Sequence, residues 1–378
     1  MDNKFIPVNT PKIGDKEKEL VLDCLESGWI SSEGSYVKEF EDKFAKLHNK
    51  KYGVAVTNGT AALDITFEAL GIEAGDEVII PTFTIVSCMH YVLRVGAIPV
   101  FVDCDLYSWN MDLQKIEQKI TSKTKAILAV HIYGLPVDLD NLKKICKDNN
   151  IFLIEDTAEA IGLNYKTSLC GSYGVASTFS FYPNKHITTG EGGMVITDDS
   201  VIYSNLLKLR NLCFDQKKRF YHKELGWNLR MTNIQAAMGI GQLESLELNI
   251  LRKRQIGKRY QENLSQLTNF NLPLKSLDYS ENIYWVFGLV VKNNIVMANE
   301  IMNLLKEKNI GSRPFFYPLH KQPVLSKFNI KYKLEGDDDF CNANYISDYG
   351  FYIPSGLGLS DKEIDYVSEI IINIDDSF

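Results

Sequence analysis

The sequence predicts an α/β protein: a seven-stranded, mostly parallel sheet with helices on both faces, followed by a smaller α+β domain. Seven short runs of apolar and β-branched residues support the first part, at 53–57, 77–80, 98–103, 126–131, 152–156, 177–181 and 194–197. Helical patterns fall between several of them, at 60–70, 139–149 and 199–210. Strand-length runs alternating with helices are the signature of crossover-connected parallel strands. The chain also has 378 residues, more than one ordinary domain needs, so a second is expected.

Taken in order, the run at 53–57 meets Asn58-Gly59, a tight-turn pair, and a helix is expected from about Thr60. The run at 152–156 stays apolar until it ends in Glu155 and Asp156. The run at 177–181 leads into a Pro183-Asn184 turn, then Lys185, then the glycine-rich stretch 190–193. A long helical pattern covers 233 to about 264 and carries the basic run LRKRQIGKRY, read as a solvated helix face. A strand at 284–291 and helices at 297–308 and 362–372 make up the smaller domain. The boundary is placed at residue 250, giving domains 1–250 and 251–378.

Composition excludes several classes. With 45% hydrophobic and 24% charged residues, the chain is neither disordered nor fibrous. A net charge of −7 argues against nucleic acid or an anionic membrane as partner. No apolar run reaches the roughly 18 residues of a membrane span, and the opening segment lacks a signal-peptide core. The seven cysteines are scattered without a CxxC pair, as expected of reduced thiols in the cytoplasm, and no metal site is expected.

The signatures GxxxxGK[ST], HExxH, GxSxG and a post-strand GxGxxG are all absent. Three segments carry positive signals. Around Thr60, a helix starting after a tight turn presents backbone N–H groups and a positive dipole end, which suits an anion; an ordinary cap reads the same way. Asp156 ends a strand where open α/β sheets place ligands, and a buried carboxylate there can pair with a protonated ring nitrogen; capping the next helix is the plainer alternative. Lys185 lies between a strand, hydroxyl residues and glycines. A partly desolvated lysine can lose its proton and form a Schiff base.

The chain resembles the DegT/DnrJ/EryC1/StrS family of pyridoxal-phosphate-dependent sugar aminotransferases. The resemblance runs through GWISSEGSYVKEFE, TNGTAAL, GDEVIIPTFT, GAIPVFVDCD, TKAILAVHIYG, LIEDTAEAIG, SFYPNKHITTGEGGMV, GWNLRMTNIQAAMGIGQLE and SRPFFYPLH. It implies the type I, aspartate aminotransferase-like fold. Matched position by position, it implies that Lys185 forms the Schiff base with the cofactor and moves protons, and that Asp156 pairs with the pyridinium nitrogen. Glu159 meets the ring hydroxyl, and Gly59, Thr60, Ala61 and Ser180 hold the phosphate. Ile85 stands where the family usually stacks an aromatic residue on the ring. Asn228, with Arg230, reaches the site of a neighbouring subunit, so the resemblance implies a homodimer with shared active sites. His186, Arg313 and His320 are candidates for substrate contact.

The implied donor is L-glutamate and the implied acceptor a nucleotide-linked 4-keto-6-deoxy sugar for surface polysaccharide. EDTAEA, ITTGEGGMV and WNLRMTNIQAA are most similar to the perosamine-forming members, which have Phe-Gly where this chain has Tyr182-Pro183. Lys185 itself argues for transamination, since dehydratase relatives carry histidine there. A small phosphorylated ketone such as dihydroxyacetone phosphate is the alternative acceptor. A non-catalytic regulatory protein on the same fold is the alternative class, opposed by the intact Lys185, Asp156 and Glu159. A nicotinamide-dependent oxidoreductase is disfavoured by the missing glycine fingerprint.

Overall fold

The computed structural model describes residues 4–215, 217–218, 220–328 and 337–378. Its large sheet contains β1 (Tyr52–Val56), β2 (Glu77–Pro81), β3 (Ile98–Val102), β4 (Thr124–Val130), β5 (Phe152–Asp156), β6 (Ala176–Ser180) and β7 (Gly193–Thr197). These are ordered β1-β7-β6-β5-β4-β2-β3. β7 runs antiparallel to both its neighbours, and the remaining pairs are parallel. Helices cover both faces, which is why these strands read as unbroken apolar runs and not as alternating ones.

The helices around this sheet are α1 (Asp15–Ser27), α2 (Ser35–Leu47), α3 (Gly59–Ala69), α4 (Ser87–Val95), α5 (Leu139–Asn149) and α6 (Ser200–Arg210). Three of them, α1, α2 and α4, were not expected from the sequence patterns. On α2, Phe40 and Phe44 lie one turn apart and pack on the end of β6. Ring centroids are 4.8 Å apart for Phe44 and Phe179 and 5.2 Å for Phe40 and Phe181. Burying these rings anchors the strand that carries Ser180 and leads to Lys185.

The single long helix expected over 233–264 is instead two, α7 (Asn233–Glu244) and α8 (Leu246–Asn263), divided at Ser245. Packing explains the break. A Cβ on Gly239 would come within 2.7 Å of Phe40, and one on Gly241 within 2.9 Å of the Glu17 backbone, so α7 lies tightly on α1 and α2. The chain must then turn to bring Ile256 and Tyr260 of α8 into a second core. The basic run on α8 is not wholly solvated either. Lys253 is buried and donates to the carbonyls of Trp285 (2.7 Å) and Ser355 (2.6 Å).

That second core lies beside an antiparallel sheet of β8 (Phe270–Asn271), β9 (Phe287–Val291), β10 (Arg313–Pro314) and β11 (Gly350–Ile353), ordered β8-β9-β11-β10. The helices α9 (Ala298–Glu307), α10 (Cys341–Tyr349) and α11 (Asp361–Asp375) complete it. The strand expected from 284 begins at Phe287, because Tyr284 is left-handed at φ 49°. Ile6 joins this core and bridges to Ile310. Trp285 and Phe315 extend into the core formed by Ile80 and Phe83, so this part of the chain packs over the C-terminal end of β2. No helix among the described residues is long and apolar enough to cross a membrane.

Candidate active site

A cavity of about 340 Å³ opens at the C-terminal ends of the parallel strands, where open α/β sheets bind their ligands. Its first wall is the turn after β1. Asn58 caps α3, its Oδ1 accepting from the Ala61 N–H at 2.8 Å. The N–H groups of Gly59 and Thr60 have no intrahelical acceptor and carry the positive end of the helix dipole. A side chain at 59 would meet Ser180 Cβ at 2.8 Å, so glycine lets α3 start against β6. Gly193 acts likewise, since a Cβ there would meet the Asn58 carbonyl oxygen at 2.4 Å. Glycine at 193 therefore lets β7 close on this turn. Thr60 Oγ1 lies 2.7 Å from Ser87 Oγ at the start of α4.

β5 delivers the carboxylates. Asp156 is buried, and its Oδ1 accepts from the Ala158 N–H at 3.0 Å. The Cys88 thiol lies 3.6 Å from its Oδ2. Burial raises this carboxyl above the usual range, against the pull of the Ala158 N–H and Lys185. Glu159 accepts from the Tyr133 N–H at 2.9 Å through Oε2. Burial pushes it up to about 7, with Lys185 opposing.

Lys185 closes the turn begun by Tyr182, its N–H donating to the Tyr182 carbonyl at 2.9 Å. Its Nζ is 4.0 Å from Glu159 Oε1 and 3.8 Å from the centre of the Trp285 ring. Burial pushes its pKa below the usual lysine value, resisted by Glu159 and Asp156. A largely enclosed amine between two carboxylates can hold or release a proton at little cost, which suits nucleophilic and acid–base work.

Of the residues singled out from the sequence, Gly59, Thr60, Ile85, Asp156, Glu159, Ser180 and Lys185 line this one cavity. The others do not. Ala61 is buried, with its N–H taken by Asn58. His186 is buried in the opposite direction, its carbonyl accepting from Asn249 at 3.2 Å. The turn after Tyr182 puts Lys185, and not His186, on the cavity side. His320 packs 4.1 Å from the Phe340 ring and has Nδ1 2.7 Å from Thr82 Oγ1, a structural placement. Arg313 lines a second cavity of about 460 Å³, which shares Tyr182, Asn184 and Tyr352 with the first. Asn228 is exposed and accepts from Arg230 Nε at 3.0 Å; Arg230 also donates to Asn211 at 2.9 Å. Neither lines the cavity within the chain.

Sequence reasoning missed Ser87, Tyr352 and Trp285. A hydroxyl residue closely following the PTFT segment was a findable signal for Ser87. Nothing local marks Trp285, which lies 100 residues from Lys185.

The residues fit pyridoxal phosphate. Two N–H groups and three hydroxyls gather at one end, a buried carboxylate short of a cationic partner sits on the floor, and the amine stands beside it. Asn184, whose Oδ1 is buried without a hydrogen-bond partner among the described residues, also lines the cavity.

Comparison with known proteins agrees. The sequence profile of the DegT/DnrJ/EryC1/StrS aminotransferase family matches residues 11–372. A GDP-perosamine synthase of Escherichia coli O157:H7 is 41% identical over 97% of this chain and 98% of its own. A solved GDP-4-keto-6-deoxymannose-3-dehydratase with bound GDP-perosamine superposes with a TM-score of 0.88 at 27% identity, covering 97% of this chain and 100% of that one. A GDP-4-keto-6-deoxymannose-3-dehydratase with a trapped PLP-glutamate geminal diamine gives a TM-score of 0.89 at 27% identity, over 97% of this chain and 99% of that one.

Proposed function

Since the chain belongs to the DegT/DnrJ/EryC1/StrS aminotransferase family, a group of pyridoxal-phosphate-dependent enzymes, we propose that it transfers the amino group of L-glutamate to a GDP-linked 4-keto-6-deoxy sugar. The observation that carries this reading is Lys185, buried beside Glu159 in a cavity that also holds Asp156 and the open start of α3. Bound there, pyridoxal phosphate supplies an electron sink that lets the carbon bearing the amino group lose and regain a proton.

The chain's own groups do the rest. Gly59 and Thr60 offer N–H groups, and Ser180 and Ser87 offer hydroxyls, to the phosphate. Asp156 would pair with the protonated ring nitrogen, a cationic partner that would keep this buried carboxyl ionised. Glu159 would meet the ring hydroxyl, and Ile85 would line the ring face. Lys185, as the free amine, would hold the group covalently and would take up and give back the moving proton at Nζ.

The second cavity supports a bulky acceptor over a small phosphorylated ketone. It continues past Tyr182 and Tyr352 to the exposed Arg313, a cation suited to the sugar's phosphates. The perosamine-related neighbours by name and content favour the GDP-linked sugar. Glutamate as donor is supported by the adduct trapped in the dehydratase neighbour. We further propose a homodimer in which Asn228 and Arg230 reach the partner's cofactor. They lie close to the exposed apolar residues Leu225 and Trp227, as a buried interface requires. Residues 1–250 would then form the cofactor-binding body and 251–378 the smaller domain. Seven scattered cysteines without a CxxC pair suit a reducing cytoplasm, and the product would feed surface polysaccharide.

The test uses absorbance. The holoenzyme is treated with L-glutamate until the band of the lysine-bound cofactor disappears, and GDP-4-keto-6-deoxymannose is then added. Return of the band is expected. Loss without return rejects this sugar while keeping the aminotransferase, and no loss rejects glutamate as donor.

A further inference from the structure

Trp285 is absent from every motif used above, yet its ring is the aromatic face on which Lys185 rests, 3.8 Å from Nζ to the ring centre. It is held on three sides. Its indole N–H donates to the Asn184 carbonyl at 2.8 Å, the residue just before Lys185. Its carbonyl accepts from Lys253 Nζ at 2.7 Å, and Lys253 in turn reaches the Ser355 carbonyl at 2.6 Å. Its backbone presses on Gly134, where a Cβ would come within 2.8 Å of the Trp285 nitrogen.

Two left-handed residues frame this contact, Tyr133 at φ 55° and Tyr284 at φ 49°. Strain of this kind in bulky residues persists only where the surroundings over-determine it. Here Tyr133 serves both partners of Lys185: its N–H holds Glu159 at 2.9 Å, and its ring lies 5.7 Å from that of Trp285. Lys253 is itself costly, since burial brings its ammonium down to about 7. A methionine would fill similar space without that cost, so the ammonium's two carbonyl contacts are its evident purpose.

We propose that Trp285 is a positioning residue for Lys185: its indole face holds Nζ within reach of Glu159, and Lys253 fixes the indole by binding the Trp285 carbonyl. The proposal rests on Lys185 being the cofactor lysine. A ring face attracts the ammonium and not the neutral amine, so Trp285 favours the protonated form. The titratable groups lining the cavity with Nζ are Asp156 at the end of β5, Glu159 after it, Tyr182, Glu191 and Tyr352 on β11. Cys88 on α4 lies against Asp156, and Tyr133 after β4 lies against Trp285. Beneath it lie His186 and Lys253.

The test is trace labelling with acetic anhydride across pH, read at Lys185 by mass spectrometry in the cofactor-free chain. Trp285→Leu should lower the half-labelling pH of Lys185 by about one unit, and Trp285→Phe by less, because a smaller aromatic face remains. An unchanged profile in Trp285→Leu, or equal shifts in both variants, overturns the proposal. If Trp285→Leu does not fold, Lys253→Met carries the test. Losing a nearby positive charge would raise the half-labelling pH, whereas releasing the indole lowers it; a rise or no change overturns the proposal. A parallel sample loaded with pyridoxal phosphate keeps the two readings apart. Lys185 left unprotected there rejects Lys185 as the cofactor lysine, while protection with no shift in the variants rejects only the role of Trp285.

Discussion

The backbone N–H of Tyr133 donates to Glu159 Oε2 at 2.9 Å, tying a carboxylate on the β5 side of the cavity to the turn after β4. Neither residue is near the other in sequence, and the bond leaves Oε1 free to face Lys185 at 4.0 Å.

A pH dependence follows. Burial raises Glu159 from 4.5 to about 7 in the folded chain, with Lys185 opposing. A raised acid favours folding while it is protonated, so its contribution is complete below the unfolded value of 4.5 and is lost as pH rises toward 7. In urea unfolding of the cofactor-free chain, wild type should lose about 1–3 kcal/mol relative to Glu159→Gln between pH 5 and 8. Parallel stability profiles would show that burial does not govern this carboxyl.

Lys185→Ala removes the amine and the proton carrier together. Borohydride should then fix no cofactor to the chain, and turnover should fall by at least about 1,000-fold. A covalent adduct found on another lysine would sink the assignment.

Asp156→Asn keeps the side chain's size and an acceptor for the Ala158 N–H, but removes the charge opposite the ring nitrogen. Transamination should drop by about 100-fold or more, the scale on which a buried, preorganised charge partner is felt. Near-normal kcat would rule the role out.

Ser180→Ala and Ser87→Ala each remove one hydroxyl from the start of α3 without disturbing the Asn58 cap. Each should weaken cofactor binding about 10-fold, the equivalent of one hydrogen bond to a charged group. Titration of the cofactor-free chain by fluorescence reads this directly, and unchanged affinity in both variants would place the phosphate elsewhere.

Asn228→Ala tests the shared site. Cofactor should be lost faster on dialysis, while the chain's melting temperature stays within a degree or two, since the Asn228 side chain is exposed and bonds to Arg230 two residues away. Retention equal to wild type would leave the site complete within one chain.

Local patterns sufficed for the sheet and the turns. The seven strands lie almost where the apolar runs put them, because strands buried on both faces need unbroken apolar sequence. Asn58, Gly59 and the Pro183-Asn184 turn act within a few residues of themselves, through capping and backbone geometry, so their neighbourhood shows what they do. Asp156 was legible because it ends a strand at the ligand-binding edge of such a sheet, and Lys185 because it sits in the turn that follows another such strand.

Only tertiary structure decided which of two adjacent residues, Lys185 or His186, faces the cavity. It also broke 233–264 into two helices, because Gly239 and Gly241 press α7 onto Phe40 and Glu17. It buried Lys253 in a run that reads as a solvated face, and it brought Trp285 to Lys185 and Tyr133 to Glu159. These are contacts between residues far apart in the chain, set by how a second core closes over the first, and no local periodicity records them.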